Sequence, residues 1–235
     1  MRRSRGNRHT QDVLRPLSGA ERTLIEAMTV RRTVLPANRD IVAASEVGAG
    51  PCLITGGWAF RYRRTGTGCR QILDFELPGD IIGLQASLLG VMEHSVRSLT
   101  PLQLTMLDAR LVAEAFPREP NLALRLARYV AAEGCRADEL MTVIGCGSAV
   151  ERIAFLMWNL YRRQSRHVVI DPRDCPFPLR RQHLADALGL TGAHVNRMLN
   201  RLKAAGIAAI AGRQLAILDV ARLSAMAGAA AGEGD

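Results

Sequence analysis

Three small or polar side chains near the carboxyl end of the chain, Ala193, Asn196 and Arg197, share one face of a predicted helix. The opposite face is apolar at the spacing i, i+3, i+4, i+7, with Val195, Met198, Leu199 and Leu202. An arginine guanidinium can fork onto N7 and O6 of guanine, and an asparagine amide can pair with N6 and N7 of adenine. Because Ala193 leaves room for close approach, this face predicts base contacts in a DNA major groove.

A tight turn precedes this helix and joins it to a shorter one. Leu184 and Leu188 mark the buried side of the shorter helix, Gly189 permits the turn, and Thr191 is a good N-cap for the second helix. The segment 177–203 therefore predicts a helix-turn-helix. An ordinary amphipathic helical hairpin is the alternative interpretation of the same spacing.

Two short apolar runs follow the second helix. Gly206 suits the end of that helix, and Gly212 with Arg213 suits a hairpin turn between two strands. The pattern predicts a wing beside the helix pair, and we expect Arg213 to contact the phosphate backbone.

Composition limits the class of partner and the compartment. The 235 residues carry a formal net charge of +9, which favours a polyanion but does not separate DNA from RNA or an anionic membrane. No apolar run approaches the roughly 18 residues that span a bilayer, so we expect a cytoplasmic protein without a membrane partner. Five cysteines at irregular spacing, without a C-x-x-C pair, predict reduced structural thiols and no metal site.

The chain changes character along its length, and the changes predict an α+β fold. Short β-type runs separated by glycine and proline indicate a β-roll, and a long apolar helical pattern follows them. The predicted segments are a flexible basic arm (1–11), a β-roll sensor domain (12–110), a dimerisation helix with a hinge (111–146), a winged helix-turn-helix domain (147–226) and a flexible tail (227–235).

The long helix needs a partner for its apolar residues. A two-fold dimer would supply one and would place two reading helices about 34 Å apart, as successive major grooves require. The residues predicted to lie on the dimer helix are Leu122, Leu126, Tyr129, Val130, Glu133 and Leu140. Packing of the helix on its own β-domain is the alternative. Gly145 and Gly147 interrupt the helical pattern and indicate either a hinge or a plain linker.

The order of these elements resembles the Crp/Fnr family of bacterial transcription regulators over nearly the whole chain. The resemblance is carried by Pro78-Gly-Asp-Ile-Ile-Gly83, Ala149-Val-Glu-Arg-Ile-Ala154 and Leu188-Gly-Leu-Thr-Gly-Ala-His-Val-Asn-Arg-Met-Leu199. It implies a cyclic-nucleotide-binding-like β-roll, a long dimerisation helix and a C-terminal winged helix-turn-helix. It also implies a homodimer that binds a quasi-palindromic operator and acts on RNA polymerase.

The resemblance assigns roles to the helix-turn-helix residues. Arg197 takes the place of the arginine of the family's recognition helix, and Asn196 precedes it. Ala193 stands where many members use glutamate to read cytosine, so we expect a different target sequence. Arg181 and Gln182 match an Arg-Gln pair expected at phosphates. The residues predicted to position the DNA backbone are Arg181, Gln182, Thr191, His194, Arg201 and Arg213.

The effector residues of the family's cyclic-AMP branch are replaced. The candidate pocket residues are Gly83, Leu84, His94 and Ser95, in which leucine and histidine stand where cyclic-AMP-binding members have glutamate and arginine. Neither replacement can hold the ribose or clamp the phosphate in the same way, so the sequence argues against cyclic AMP.

Residues 94–100 resemble the Fnr-type branch of the family more closely, and that branch includes iron–sulfur proteins. No cysteine precedes Cys52, so we expect no iron–sulfur cluster, and a lone His94 or Cys69 makes a poor case for haem. A thiol redox switch between Cys135 and Cys146 is a separate hypothesis. No cofactor is predicted.

Two functions of different classes follow. The first is a sequence-specific DNA-binding transcription regulator that is controlled through the β-roll by an unidentified signal. The alternative is a ligand or thiol-redox receptor whose winged domain mainly binds protein. Nothing in the sequence establishes a nucleophile–base pair, so no enzyme is predicted.

Overall fold

The computed structural model describes residues 18–45, 50–166 and 168–231, without the side chains of residues 229–231. The predicted basic arm (1–11) and the end of the predicted tail (232–235) lie outside the described residues. The chain forms two compact units. The first holds the chain up to Gly57 and Pro78–Arg136, and the second holds Trp58–Leu77 and the chain from Ala137 onward.

The described residues form a run of strands with few helices, followed by a mainly helical segment that ends in the wing and one further helix. In chain order they are α1 (Gly19–Met28), β1 (Thr29–Leu35), β2 (Asp40–Val42), β3 (Cys52–Gly56), β4 (Ala59–Arg64), β5 (Arg70–Glu76), β6 (Ile81–Ile82), α2 (Leu84–Leu89), β7 (Ser95–Ser98), β8 (Leu102–Leu107), α3 (Ala109–Arg118), α4 (Pro120–Cys146), α5 (Ala149–Gln164), β9 (Cys175–Pro176), α6 (Arg181–Leu188), α7 (Gly192–Ala204), β10 (Ala208–Ala211), β11 (Gln214–Ile217) and α8 (Val220–Ala231).

Antiparallel strands make up the first unit's part of the β-roll. One sheet has the order β1-β8-β3-β6, and β2 pairs with β7. Alternating side chains point into the core, where Ile54 and Leu102 are fully buried, because successive residues of a strand face opposite sides of the sheet. Gly57 directly follows β3 with φ +84°, and a Cβ there would lie 2.1 Å from the Pro101 carbonyl oxygen.

A helical cluster completes the core of the first unit. The ends of α1 and α2, the middle of α3 and the first half of α4 meet there through Met28, Leu84, Val112, Leu122, Leu126, Tyr129 and Ala132. The Tyr129 hydroxyl accepts a hydrogen bond from Ile81 N at 2.9 Å, which satisfies a polar atom inside this apolar cluster.

The long predicted helix is divided in two near its start. The sequence pattern from residue 111 predicts one helix, whereas α3 ends at Arg118 and α4 begins at Pro120. A proline is tolerated at the first helical position but disfavours helix in the residue before it, so the helix restarts here. At its other end α4 stops at Cys146, and Glu151 Oε2 accepts from Ser148 N at 2.8 Å to begin α5. Gly145 therefore lies in the last turn of α4, and Gly147 lies between the helices.

The second unit is built around α5. Its residues Ile153, Met157 and Leu160 are fully buried, and α5 contacts α6, α7 and α8. Ala227 of α8 packs with Val143 and Phe155, so α8 continues to Ala231 where the sequence predicts a flexible tail from residue 227. The alanines of this segment are strong helix formers, and burial of Ala227 adds to that preference.

The hairpin of β4 and β5 belongs to the second unit, although the sequence assigns it to the β-roll. Arg163 of α5 donates to Asp74 Oδ1 at 2.8 Å and to the Phe75 carbonyl oxygen at 2.7 Å, and its side chain is buried. Removing one partner of a buried ion pair is costly, so this contact fixes the hairpin on α5. Among the described helices, none has the length and apolar character of a membrane span.

Candidate nucleic-acid interface

Helices α6 and α7 are joined by a tight turn at Gly189. This glycine has φ +63°, and no atom lies within 4 Å of where a Cβ would stand. The left-handed backbone conformation, and not lack of space, is therefore what favours glycine here. The Thr191 hydroxyl accepts from His194 N at 3.2 Å and caps α7, as the sequence predicts. Arg152 of α5 donates to the Leu188 carbonyl oxygen at 3.3 Å, which ties the end of α6 to the core helix.

The inner faces of the two helices are apolar and fully buried. Leu184 and Leu188 of α6 and Val195 and Leu202 of α7 are each no more than 1% exposed. Burying one such side chain contributes about 2 kcal/mol, so the four together hold α7 against the rest of the unit. This is the helix-turn-helix that the spacing predicts.

The outer face of α7 is open to solvent. Ala193, Asn196 and Arg197 are all exposed, and Asn200 and Arg201 continue the same face. His194 is half-buried. Because the buried face of α7 fixes its rotation, the three residues predicted to read bases project together from a rigid helix.

The residues predicted to contact phosphates lie at two further places in the unit. Arg181 and Gln182 are exposed in the first turn of α6, and Arg213 is exposed at the tip of the wing. The Gln182 amide donates to Asp186 Oδ1 at 2.6 Å, one turn further along α6. Thr191 already uses its hydroxyl as a cap, so its side chain is committed within the protein.

The wing has three strands. β10 and β11 pair from Ala208↔Ile217 to Ala211↔Gln214, and β9 adds to the other edge of β11. The two-stranded hairpin is as predicted, whereas β9 is too short to show in the sequence pattern. Phe177 N donates to the Arg213 carbonyl oxygen at 2.8 Å, which anchors the tip of the wing to the segment before α6.

His183 fastens the start of α6. Its Nδ1 accepts from Arg180 N at 3.0 Å, and its ring lies 5.5 Å from the ring of Phe60. Burial, followed by the charges of Arg70 and Arg180, lowers the pKa of His183 to about 4. The imidazole is therefore neutral at pH 7 and acts as a hydrogen-bond acceptor.

The hairpin of β4 and β5 contacts α6 through two of its polar side chains. Arg70 Nε donates to Asp186 Oδ2 at 2.7 Å, and the Gln71 amide donates to the Ala187 carbonyl oxygen at 3.1 Å. Sequence reasoning missed this contact because 116 residues separate Arg70 from Asp186, and no local pattern pairs them.

The candidate effector residues lie in the first unit. Leu84 is 2% exposed and packs in the apolar cluster with Met28 and Val112. Gly83 precedes α2 with φ +79°. The Ser95 hydroxyl accepts from Ala44 N at 3.0 Å, and His94 is buried.

The cysteines are divided between core and surface. Cys52 and Cys175 are buried, whereas Cys69, Cys135 and Cys146 are exposed. In the part of the chain that the structure describes, no three His, Cys, Asp or Glu side chains come close enough to hold a metal ion.

The residues predicted for the dimer helix face their own protomer. Leu122, Leu126 and Tyr129 are buried in the first unit's core, with Val130 packed against them. Glu133 is 6% exposed beside Arg136, and Leu140 packs against Val143. Packing on the chain's own domain, the alternative interpretation of this pattern, accounts for the buried side chains, because helical periodicity shows that a face is covered but not which surface covers it. Pairing of this helix with a second copy stays a prediction.

The chain is similar in sequence to known regulatory proteins. A family model described as the Crp-like helix-turn-helix domain matches residues 151–226. The chain is 27% identical over 177 residues to the anaerobic regulatory protein of Pasteurella multocida (strain Pm70), covering 74% of this chain and 64% of that protein. It is 29% identical over 168 residues to the nitrogen fixation regulation protein FixK of Bradyrhizobium diazoefficiens, covering 72% of this chain and 70% of that one.

Solved structures show the same fold. FixK2 from Bradyrhizobium japonicum superposes with a TM-score of 0.76 at 24% identity, covering 83% of this chain and 96% of that one. The predicted fold class is confirmed: a β-roll, a long helix and a winged helix-turn-helix.

Proposed function

We propose that the chain, as a transcription regulator of the Crp/Fnr family and not an enzyme, binds a quasi-palindromic operator as a homodimer. In this proposal Asn196 and Arg197 read base edges, and Ala193 makes apolar contact. Arg181, Gln182, His194, Arg201 and Arg213 position the sugar–phosphate backbone, with Thr191 capping the reading helix.

The exposed face of α7 is the observation that carries the proposal. Asn196 and Arg197 project from a helix whose other face is fully buried, and arginines flank it at the start of α6 and on the wing. A solvated surface helix usually mixes glutamate and lysine, whereas this face carries no acidic residue. Hydrogen-bonding and cationic groups without a carboxylate suit the edges of bases and the adjacent phosphates.

Ala193 sets the expected difference in sequence preference. Its methyl group cannot accept a hydrogen bond from cytosine N4, but it can pack against the methyl group of thymine. We propose that the operator carries a thymine, rather than a cytosine, opposite this position. The chain spans 64% and 70% of the lengths of the two relatives named above, so the DNA sequences that they bind are not assigned to this chain.

We assign the dimer contact to the exposed face of α4. Leu124 and Met141 are 52% and 67% exposed, and the exposed Ala131 lies between them, seven residues after Leu124. Small and apolar residues at heptad spacing are what two parallel helices need for close approach. The expected mass in solution is that of two chains, and Leu124→Arg with Met141→Arg should reduce it to one.

Regulation through the β-roll and contact with RNA polymerase complete the proposal. Both come from the family, and the signal is a ligand other than cyclic AMP or a change in thiol redox state. No resident cofactor is proposed. The protein acts where its DNA partner is, in the cytoplasm.

Titration of a mixed-sequence duplex at several salt concentrations tests the proposal. Phosphate contacts release counterions, so the affinity should fall by a factor of about 10³ or more between about 50 and 200 mM salt. Binding that does not change with salt would favour the alternative, a receptor whose winged domain binds protein.

Arg197→Ala tests the base-reading role. On an operator obtained by selection, the variant should lose about 1 to 3 kcal/mol of binding free energy and discriminate less at one base pair. Arg173→Ala is the matched control, because Arg173 is exposed in the same unit at the end of the wing away from Arg213. Equal losses in the two variants would remove Arg197 from the base-reading set.

A further inference from the structure

The tip of the hairpin of β4 and β5 lies beside the helix that begins the DNA-binding motif. Arg70 contacts Asp186 through both Nε, at 2.7 Å, and Nη2, at 2.5 Å. The Arg70 side chain is 19% exposed and that of Asp186 is 11% exposed, so the pair is largely shielded from solvent. The guanidinium also lies 5.3 Å from the centre of the Phe60 ring, which restrains its position.

Asp186 has a second partner that belongs to the proposed interface. Its Oδ1 accepts from the Gln182 amide at 2.6 Å, while Oδ2 accepts from Arg70. A carboxylate one turn from a phosphate-contacting residue would repel DNA. Arg70 neutralises that charge, so the hairpin removes an unfavourable charge from this edge of α6.

Further cations stand on the neighbouring strand of the same hairpin. Arg64 lies directly opposite Arg70 in the ladder, and Arg63 lies opposite Gln71. Cross-strand partners are about 5 Å apart, so both arginines stand one strand away from residues that touch α6. Both are exposed. The Arg64 guanidinium lies 3.4 Å from the Gly68 carbonyl oxygen and 5.8 Å from the centre of the Tyr62 ring.

We propose that this hairpin tip is an additional phosphate-contacting element of the DNA-binding surface. Arg64 contacts the sugar–phosphate backbone of duplex DNA beside the contacts of Arg181 and Gln182. Arg70 acts as a positioning residue that holds the hairpin on α6 and neutralises Asp186. The inference rests on the proposed DNA-binding function and extends its footprint to a segment outside the helix-turn-helix and the wing.

Arg64→Ala tests the direct contact. The probe is a fluorescent mixed-sequence duplex of about 30 base pairs, titrated with the full chain at several salt concentrations. Each lost phosphate contact should lower the magnitude of the slope of log affinity against log salt by about 0.9, which is about an eightfold loss of affinity at ~0.1 M salt. Arg110→Ala is the control of equal charge, because Arg110 is exposed on α3 in the other unit.

Arg70 and Asp186 are tested as a pair. Arg70→Gln should lower affinity for the same duplex because Asp186 is left with its charge. Asp186→Asn should raise affinity, because the amide oxygen can still accept from Gln182 while the negative charge is gone. The double variant should return close to the wild-type affinity, with thermal unfolding used to confirm that each variant is folded.

The outcomes separate this inference from the proposed function. A steep wild-type slope that is unchanged in Arg64→Ala overturns the hairpin contact and leaves DNA binding standing. A flat wild-type slope overturns DNA binding itself. If Asp186→Asn weakens binding as much as Arg70→Gln does, the ion pair acts only through the fold and the charge argument is wrong.

Discussion

Acid should selectively weaken the second unit through His183. The pKa of this side chain is about 4 in the folded protein against 6.5 as its ordinary value, because the ring is buried and faces two arginines. The unfolded chain therefore binds a proton more readily than the folded chain between these two values. The contribution of the neutral ring to the free energy of unfolding is fully present above about pH 6.5 and is lost as the pH falls towards 4.

The expected size of the loss follows from the two pKa values. Between about pH 7.5 and about pH 5, a shift from 6.5 to about 4 removes about 2 kcal/mol of unfolding free energy. Urea unfolding followed by tryptophan fluorescence measures it directly. Both tryptophans, Trp58 and Trp158, lie in the second unit, so their emission reports the unit that contains His183.

Carboxylates also titrate in this range, so the comparison uses variants. His183→Gln keeps an acceptor for Arg180 N but cannot gain a proton, and its loss between the two pH values should be smaller than that of the wild type by about 2 kcal/mol. Identical pH dependence in the wild type and His183→Gln would refute the account of this histidine.

Two further predictions follow from single side chains. Gly57→Ala should lower the unfolding free energy of the first unit by more than about 3 kcal/mol, because the added Cβ meets the Pro101 carbonyl oxygen at 2.1 Å. Gly189→Ala has open space around the added Cβ, so it should lower that of the second unit by about 1 kcal/mol. Thermal unfolding measures both. Similar costs for the two glycines would show that the close approach at Gly57 is relieved by a backbone shift. Thiol labelling near pH 8 should modify the exposed Cys69, Cys135 and Cys146 first. Cys52 and Cys175 should stay unmodified until the protein unfolds, because burial raises the pKa of both buried thiols to about 11. Rapid labelling of either buried thiol in the folded protein, read by mass spectrometry of peptides, would contradict that burial.

Local patterns carried the prediction of the DNA-binding motif. The cap at Thr191, the turn at Gly189 and the apolar spacing of α7 act within a few residues of one another, so the sequence contains all the information they need. The two strands of the wing were predicted for the same reason, since one short turn joins them.

Long-range pairing set the limit of sequence reasoning. The bond between Arg70 and Asp186 joins segments more than a hundred residues apart, and neither residue belongs to a recognisable motif. The face of α4 shows the same limit in another form. Its periodicity predicted a covered stripe through Leu122 and Leu126, but only the packed structure shows that the first unit itself covers it.

The central claim is that two copies of α7 read DNA together across a two-fold axis. Selection of bound sequences from a random duplex library tests it most directly. We expect the enriched sequences to contain two inverted half-sites whose centres lie about 10 base pairs apart, with a thymine at the position that Ala193 faces. The Arg197→Ala variant should not enrich this motif. A single half-site, or no enriched sequence despite salt-dependent binding, would contradict the claim.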